Sequence, residues 1–432
     1  MVQLQMVLNQ TRNTALIMGM IAFIGLSLQR KSATEIIKGT VKTIIGFMTF
    51  TIGTSYLQTI VEEFMDLFTA AFGITGITTQ PSVAAGLALD RYGTEISLIL
   101  IVGFVVNLLV ARFTRFKAIF LTGQHFLYFA CVIGLIFIAS DMPFIVTVIG
   151  GAIVLGTVSA ILPSLCQSYM NEITGTDTLA IGHFSTLAYW LAGYIGKLIG
   201  KNKKHVSFSK QDSSNVEMPK FFELFRDFVF SVAAFMIITF YVVVIACMVK
   251  GQQQFVLEKA GNDLWFVYPF IKGLQFSAGM SVLIYGVRQF IAEITAAFVA
   301  ISDKYIPNSR PAVDAPAIFP FAPTAVLIGF VGAFIGSLVG MGAEIALGSS
   351  VIMIPAANIC FFSGGTAGIF GNVYGGWKGA AIGSFIEGVA STTLPLILYS
   401  YFENVGIKGA SFPNIDYNIV GGLLQSFLSL FN

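Results

Sequence analysis

The sequence predicts an all-α polytopic membrane protein of about eleven transmembrane helices, with re-entrant segments arranged in an inverted repeat. Three observations predict it. Of 432 residues, 56% are hydrophobic and only 11% charged, and the mean hydropathy of +0.82 exceeds what a soluble core of this size needs. The apolar residues gather in runs long enough to cross a bilayer. Finally, two short elements recur in order: Pro81-Ser-Val83 ahead of Gly103-Phe-Val105, and Pro311-Ala-Val313 ahead of Gly329-Phe-Val331. An odd number of runs separates the two Pro-x-Val elements, which inverts the second copy relative to the first, as in many alternating-access transporters.

The runs fall near 14–29, 42–60, 96–111, 118–139, 144–166, 228–249, 264–287, 324–341, 351–371, 378–401 and 415–431. The first ends at Arg30-Lys31 without a small-residue cleavage site, so it reads as a span and not as a removed leader. With the amino terminus outside, 18 of the 24 Lys and Arg, Arg288 among them, fall in the cytoplasm. Only Arg12, Arg91, Lys250, Lys259 and Lys408 fall on the other side, and Lys272 lies within a span. Two semi-apolar stretches, Gly73–Asp90 and Ile181–Gly200, must return to the side they left and read as re-entrant. Pro219–Asp227 alternates Phe and Leu with charges at helical spacing, as a helix lying on the cytoplasmic surface does, and Lys201–Asn215 is its polar tether.

A formal charge of +2 gives no indication of nucleic-acid binding. Cys131, Cys166, Cys247 and Cys360 lie in apolar stretches without paired or metal-ligand spacing and read as small buried hydrophobes. No HExxH, P-loop, GxSxG or CxxC arrangement supports a hydrolase, an ATPase or a redox enzyme, and no cofactor or metal site is expected.

Polar residues in the apolar runs carry the chemistry. Asp314 sits in the proline-broken Arg310–Pro323 segment, where a carboxylate is tolerated only beside protein or a water-filled cavity. It reads as a substrate ligand, against a plain helix cap. His183, at a re-entrant tip, can donate to and accept from a polyol hydroxyl, or be a satisfied structural histidine. Gln124 and His125 follow a glycine break, and one of them is expected to face a cavity. Glu387 and Glu344 could be proton sites, but interhelical hydrogen bonding and interfacial placement are the stronger readings; Lys272 reads as a snorkelling structural residue. Phe361-Phe-Ser-Gly-Gly-Thr-Ala-Gly368 joins aromatics that could stack on a sugar face to small residues that also suit close helix packing.

Over nearly its whole length the chain resembles the IIC subunits of the ascorbate-type phosphotransferase system. The residues that carry the likeness are Ile36-Ile-Lys-Gly-Thr-Val-Lys-Thr-Ile-Ile-Gly-Phe-Met48, Leu121-Thr-Gly123, Ile181-Gly-His183, Gly286-Val-Arg-Gln-Phe-Ile-Ala-Glu293, Asp314 with Phe321-Ala-Pro323, Gly348-Ser-Ser350 and Gly375-Gly-Trp377. The resemblance implies a homodimer in a bacterial plasma membrane, not itself an enzyme, which moves a small sugar by elevator-like motion while separate cytoplasmic IIA and IIB proteins supply the phosphoryl group. It implies V-shaped dimerisation parts at 1–70 and 228–304 and mobile core parts at 71–200 and 305–405. A cytoplasmic loop with its surface helix at 201–227 and a terminal helix at 406–432 complete the division.

Carried over by position, His183 and Asp314 match sugar-contacting residues of that family. Elsewhere the pattern departs from it. Gln124 and Tyr128 replace a His and a Gln, Phe184 replaces a Gln, and Pro81-Ser82 replaces a Thr-Tyr pair. The substrate-binding set expected here is therefore Ser82, Gln124, Tyr128, His183, Phe184, Asp314 and Phe362. Because hydrogen-bonding pockets discriminate strongly between hydroxyl patterns, these exchanges leave the substrate as ascorbate or another small polyol or sugar acid. An ion-coupled secondary transporter or a passive channel would share the repeat.

Overall fold

A computed structural model describes residues 14–73, 75–200 and 227–430. Helix α1 (Thr14–Leu28) leads to α2 (Ala33–Phe72), which starts in a reciprocal cap in which Ser32 Oγ accepts from Glu35 N–H and the Glu35 carboxylate accepts from Ser32 N–H. At 1.5 Å per residue α2 is about 60 Å long, twice the hydrocarbon thickness of a bilayer. Then follow β1 (Thr75–Thr78), α3 (Pro81–Phe113), β2 (Ala118–Phe120), α4 (Gly123–Ala139), α5 (Phe144–Leu165), α6 (Gln167–Thr174), β3 (Ala180–Ile181) and α7 (Thr186–Ile199).

The second half repeats this order. It runs α8 (Phe228–Val249), α9 (Gln253–Ala260), the long α10 (Tyr268–Tyr305), β4 (Arg310–Val313), a 3-10 turn (Ala315–Phe321) and α11 (Pro323–Ala346). Next come β5 (Val351–Ile354), a π-helical turn (Cys360–Gly364), α12 (Gly365–Thr393), α13 (Leu396–Asn404) and α14 (Ile415–Leu428). Among the described residues seven helices are long and apolar enough to cross a membrane. The protein is an all-α polytopic membrane protein.

Strand pairing runs crosswise between the halves. β1 pairs parallel with β5 and bridges to Ala410, while β4 lies between β2 and β3, also parallel. In this frame β1 matches β4, so Thr75 corresponds to Arg310 and Pro81, the first residue of α3, to Pro316 at the start of the 3-10 turn. The repeat expected from the sequence is therefore present in the order of elements, but not through the tripeptides that suggested it: Pro311 lies in a strand and Pro81 in a helix.

Two runs expected as single spans, 118–139 and 351–371, are each a strand followed by a helix. Buried polar side chains explain the break. Asn107 of α3 donates to Ala118 O at 3.3 Å and accepts from Phe120 N–H at 3.1 Å, standing in for a strand partner. Glu344 of α11 accepts from Met353 N–H at 2.7 Å and does the same for β5. Extended backbone inside an apolar body is stable only when its polar groups are satisfied in this way. Glu344 is thus buried and structural, not interfacial.

The stretch read as re-entrant at Gly73–Asp90 forms β1 and the first part of α3, which kinks at Tyr92 (φ −127°, ψ 29°). Ile181–Gly200 forms the β3–α7 unit. The surface helix expected at Pro219–Asp227 lies outside the described residues except for Asp227, whose carboxylate accepts from Phe230 N–H and caps α8.

Helices α2 and α10 pack along one another with α8 beside them, and α12 packs between α11 and α7, while α3 packs on α5. Phe47, Phe50 and Phe290 interlock edge to face where α2 meets α10. Close approach here requires Gly286, since a Cβ would come within 2.3 Å of Phe50 N. Lys272 of α10 meets Glu63 of α2 at 2.5 Å, so it is paired across this seam. Helix α12 bends at Gly376, whose φ of 59° and ψ of −154° suit only glycine. All four cysteines are buried free thiols.

Candidate functional site

A cavity of about 340 Å³ opens between α10 and the strand–helix breaks of both halves. Each break contributes its first helical turn. Pro81 and Ser82 come from α3, and Gln124, His125 and Tyr128 from α4. His183 comes from the β3–α7 connection, Asp314 and Pro316 from the β4 end, and Asn358, Ile359 and Phe362 from the segment after β5. The facing wall is Val229 of α8 with Met280, Ser281, Ile284, Tyr285 and Arg288 of α10. Counting from the ends of β2 and β5, Gln124 corresponds to Asn358 and Tyr128 to Phe362, so the repeat places equivalent residues around one space. The size suits a small molecule.

Asp314 caps a helical turn and also lines the cavity. Its Oδ1 accepts from Ala315 N–H at 2.8 Å, which caps the 3-10 turn, and its Oδ2 accepts from Gln124 Nε2 at 3.2 Å. It still faces the cavity. Tyr128 donates to Ser82 Oγ at 3.0 Å, tying α4 to α3 at the rim.

Two imidazoles lie beside the carboxylate, their ring centres 4.0 Å apart. His125 is oriented by Tyr417 of α14: the tyrosine hydroxyl donates to His125 O at 3.2 Å and lies 3.2 Å from Nδ1. With its proton given to the carbonyl, that oxygen accepts from Nδ1–H, which leaves Nε2 as an acceptor 3.8 Å from Asp314 Oδ1. His183 Nδ1 shares a hydrogen bond with the Tyr189 hydroxyl at 2.7 Å, so its Nε2 donates or accepts according to the tautomer. Asn358 Oδ1 has no partner among the described residues. Asp314 and His125 Nε2 thus set acceptors on the wall built by the strand–helix breaks, the chemistry that receives hydroxyl donors.

His125, His183 and Asp314 could also hold a metal ion, their ligand atoms lying within 4.8 Å of one another. A tetrahedral ion with bonds of about 2.0–2.1 Å needs its ligands about 3.4 Å apart, so the groups would have to draw together. Hydroxyl hydrogen bonds of about 2.7–2.8 Å to each acceptor need no such movement.

Of the residues expected from the sequence, Ser82, Gln124, Tyr128, His183, Asp314 and Phe362 line this cavity. Phe184 does not. It is fully buried, stacked on Phe120 at 4.4 Å and against Phe129 and Tyr417, where it fixes the loop that carries His183. Gln124 and His125 both face the cavity, although only one was expected to, because a helix that begins at the wall presents its whole first turn. Phe361 is buried against Phe330 and Phe319, and the neighbouring Gly364 lies against Gly329 of α11, so that motif both packs and faces the site.

The sequence reading missed Asn358 and Arg288. The correct repeat frame would have found Asn358 as the counterpart of Gln124. Arg288 was placed on a cytoplasmic flank because the apolar run ends at 287, yet α10 continues to Tyr305 and puts it mid-helix.

The sequence model of the family described as the PTS system sugar-specific permease component matches residues 9–416. The chain belongs to that family, a multi-pass permease class of the plasma membrane. It is also similar to the ascorbate-specific PTS system EIIC component of Mycoplasma pneumoniae (strain ATCC 29342 / M129 / Subtype 1), with 27% identity over 423 residues covering 87% of this chain. The chain spans 63% of that relative's length.

Proposed function

We propose that this permease component binds L-ascorbate or a related small polyol or sugar acid in the cavity around Asp314, and that separate IIA and IIB proteins phosphorylate it from phosphoenolpyruvate. The observation that carries the reading is the convergence of Asp314, His125, His183 and Asn358 from both halves on one small space. The chain itself carries no phosphoryl group and is not an enzyme. The segments 1–70 and 228–304 would form a static, dimer-making frame, and 71–200 with 305–405 would form the part that carries the ligand past it in an elevator movement. The seam on α10 is where such sliding would occur, since the cavity has one wall on each side of it.

A second reading, an ion-coupled secondary transporter, is favoured by Glu387, which is buried in α12 with neither carboxylate oxygen partnered among the described residues. Uptake of labelled ascorbate by membrane vesicles separates the two. Uptake is expected only with phosphoenolpyruvate and the soluble phosphotransferase proteins, and the product should be phosphorylated. Accumulation of unmodified substrate under a proton or sodium gradient alone would reject the group-translocation reading.

A further inference from the structure

We infer that Arg288 selects for an anionic substrate, pairing with the negative end of a ligand whose hydroxyl end is held by Asp314, His125 and His183. The inference rests on the sugar-binding reading above and adds the charge class of the ligand.

Arg288 lines the cavity from α10, on the wall facing Asp314 and His183, with apolar Met280 and Ile284 on the same helix face. Its side chain is exposed rather than packed, so the guanidinium can turn to a ligand in the cavity, and a cation at a binding wall favours an opposite charge there. Among the described residues it forms no ion pair. The other formal charge among the described lining residues is Asp314. Yet Asp314 is already engaged by Gln124 and the Ala315 N–H, and the two charges are not in contact.

The space between them is asymmetric. One side offers acceptors and the other a planar five-donor cation, which pairs in bidentate fashion with a carboxylate or an enediolate. A neutral polyol would satisfy the first side and leave the guanidinium uncompensated. A small molecule with hydroxyls at one end and a delocalised anion at the other satisfies both. The first turns of α3 and α4 also begin at this cavity, and their partial positive charge favours the same sign of ligand.

The test is calorimetry on the purified full chain with two pairs of ligands matched in size and hydroxyl content: L-ascorbate against neutral L-gulono-1,4-lactone, and D-glucuronate against D-glucose. Wild type should bind the anionic member of at least one pair tenfold or more tightly than the neutral one. Arg288→Gln should reduce that preference to within threefold, and Arg288→Lys, which keeps the charge but not the fork, should retain part of it. Size-exclusion profiles of both variants report folding. An Arg288→Gln protein that keeps the full preference overturns the inference, as does a wild type that prefers the anion in neither pair; in the second case the sugar-binding reading survives. Binding of none of the four overturns both.

Discussion

Asp314→Asn should weaken binding of the cognate sugar ten- to a hundredfold while leaving the protein monodisperse and its unfolding temperature nearly unchanged. The substitution separates the residue's two roles. As the first residue before the 3-10 turn, Asp314 accepts from Ala315 N–H, and asparagine caps a helical turn about as well as aspartate does. The cap therefore survives. Towards the cavity the carboxylate offers charged acceptors, and a hydrogen bond to a charged group contributes about 1.5–3 kcal/mol where a neutral one contributes about 1. Losing the charge and turning half of the group into a donor removes at least one such bond, which gives the stated factor. Asp314→Ala should lose the cap as well, at a further cost of about 1 kcal/mol in stability. Wild-type affinity in Asp314→Asn, by calorimetry or scintillation proximity, would show that the cap is its only role.

Much of this site was legible because lipid makes polar residues expensive. A carboxylate between prolines, a histidine after a glycine and an amide after another glycine all stood out against an apolar background, and Asp314, His183 and Gln124 do meet. The fold class followed from the same contrast. What the sequence obscured was backbone shape within apolar runs. Periodicity alone does not tell a helix from a strand in a short apolar run. Residues 118–120 and 351–354 are extended because they pair with β4 and β1 in the other half, and Asn107 and Glu344, in preceding helices, take up further backbone groups of theirs. No local signal in those strands reports a partner on another helix. The misplaced strands also hid the frame of the repeat, and with it Asn358. Phe184 was misread for a related reason: its neighbour His183 faces the cavity, but the turn into α7 sends the next side chain into the aromatic cluster around Tyr417.

Asp416→Ala should be the most destabilising single change near the cavity and should reduce binding through His183, although Asp416 is not itself among the lining residues. Its buried carboxylate, at the start of α14, accepts from Thr186 N–H at 2.8 Å and Leu187 N–H at 3.0 Å, and also from the Thr186 hydroxyl. It thereby caps α7 from a helix more than two hundred residues away in sequence. Alanine would leave the two amides buried without an acceptor beside them, at about 1–3 kcal/mol each, and remove the charge that suits a helix amino terminus. A loss of about 3 kcal/mol or more is expected, read as a lower unfolding midpoint in detergent. The Thr186 end of α7 would loosen, and His183, three residues earlier and held through Tyr189 on that same helix, would lose its fixed position. Asp416→Asn keeps one acceptor oxygen and should lie between the two. If Asp416→Ala unfolded at the wild-type midpoint and bound sugar with wild-type affinity, the cross-helix cap would not be what positions the histidine, and the aromatic packing of Phe184 would have to do so alone.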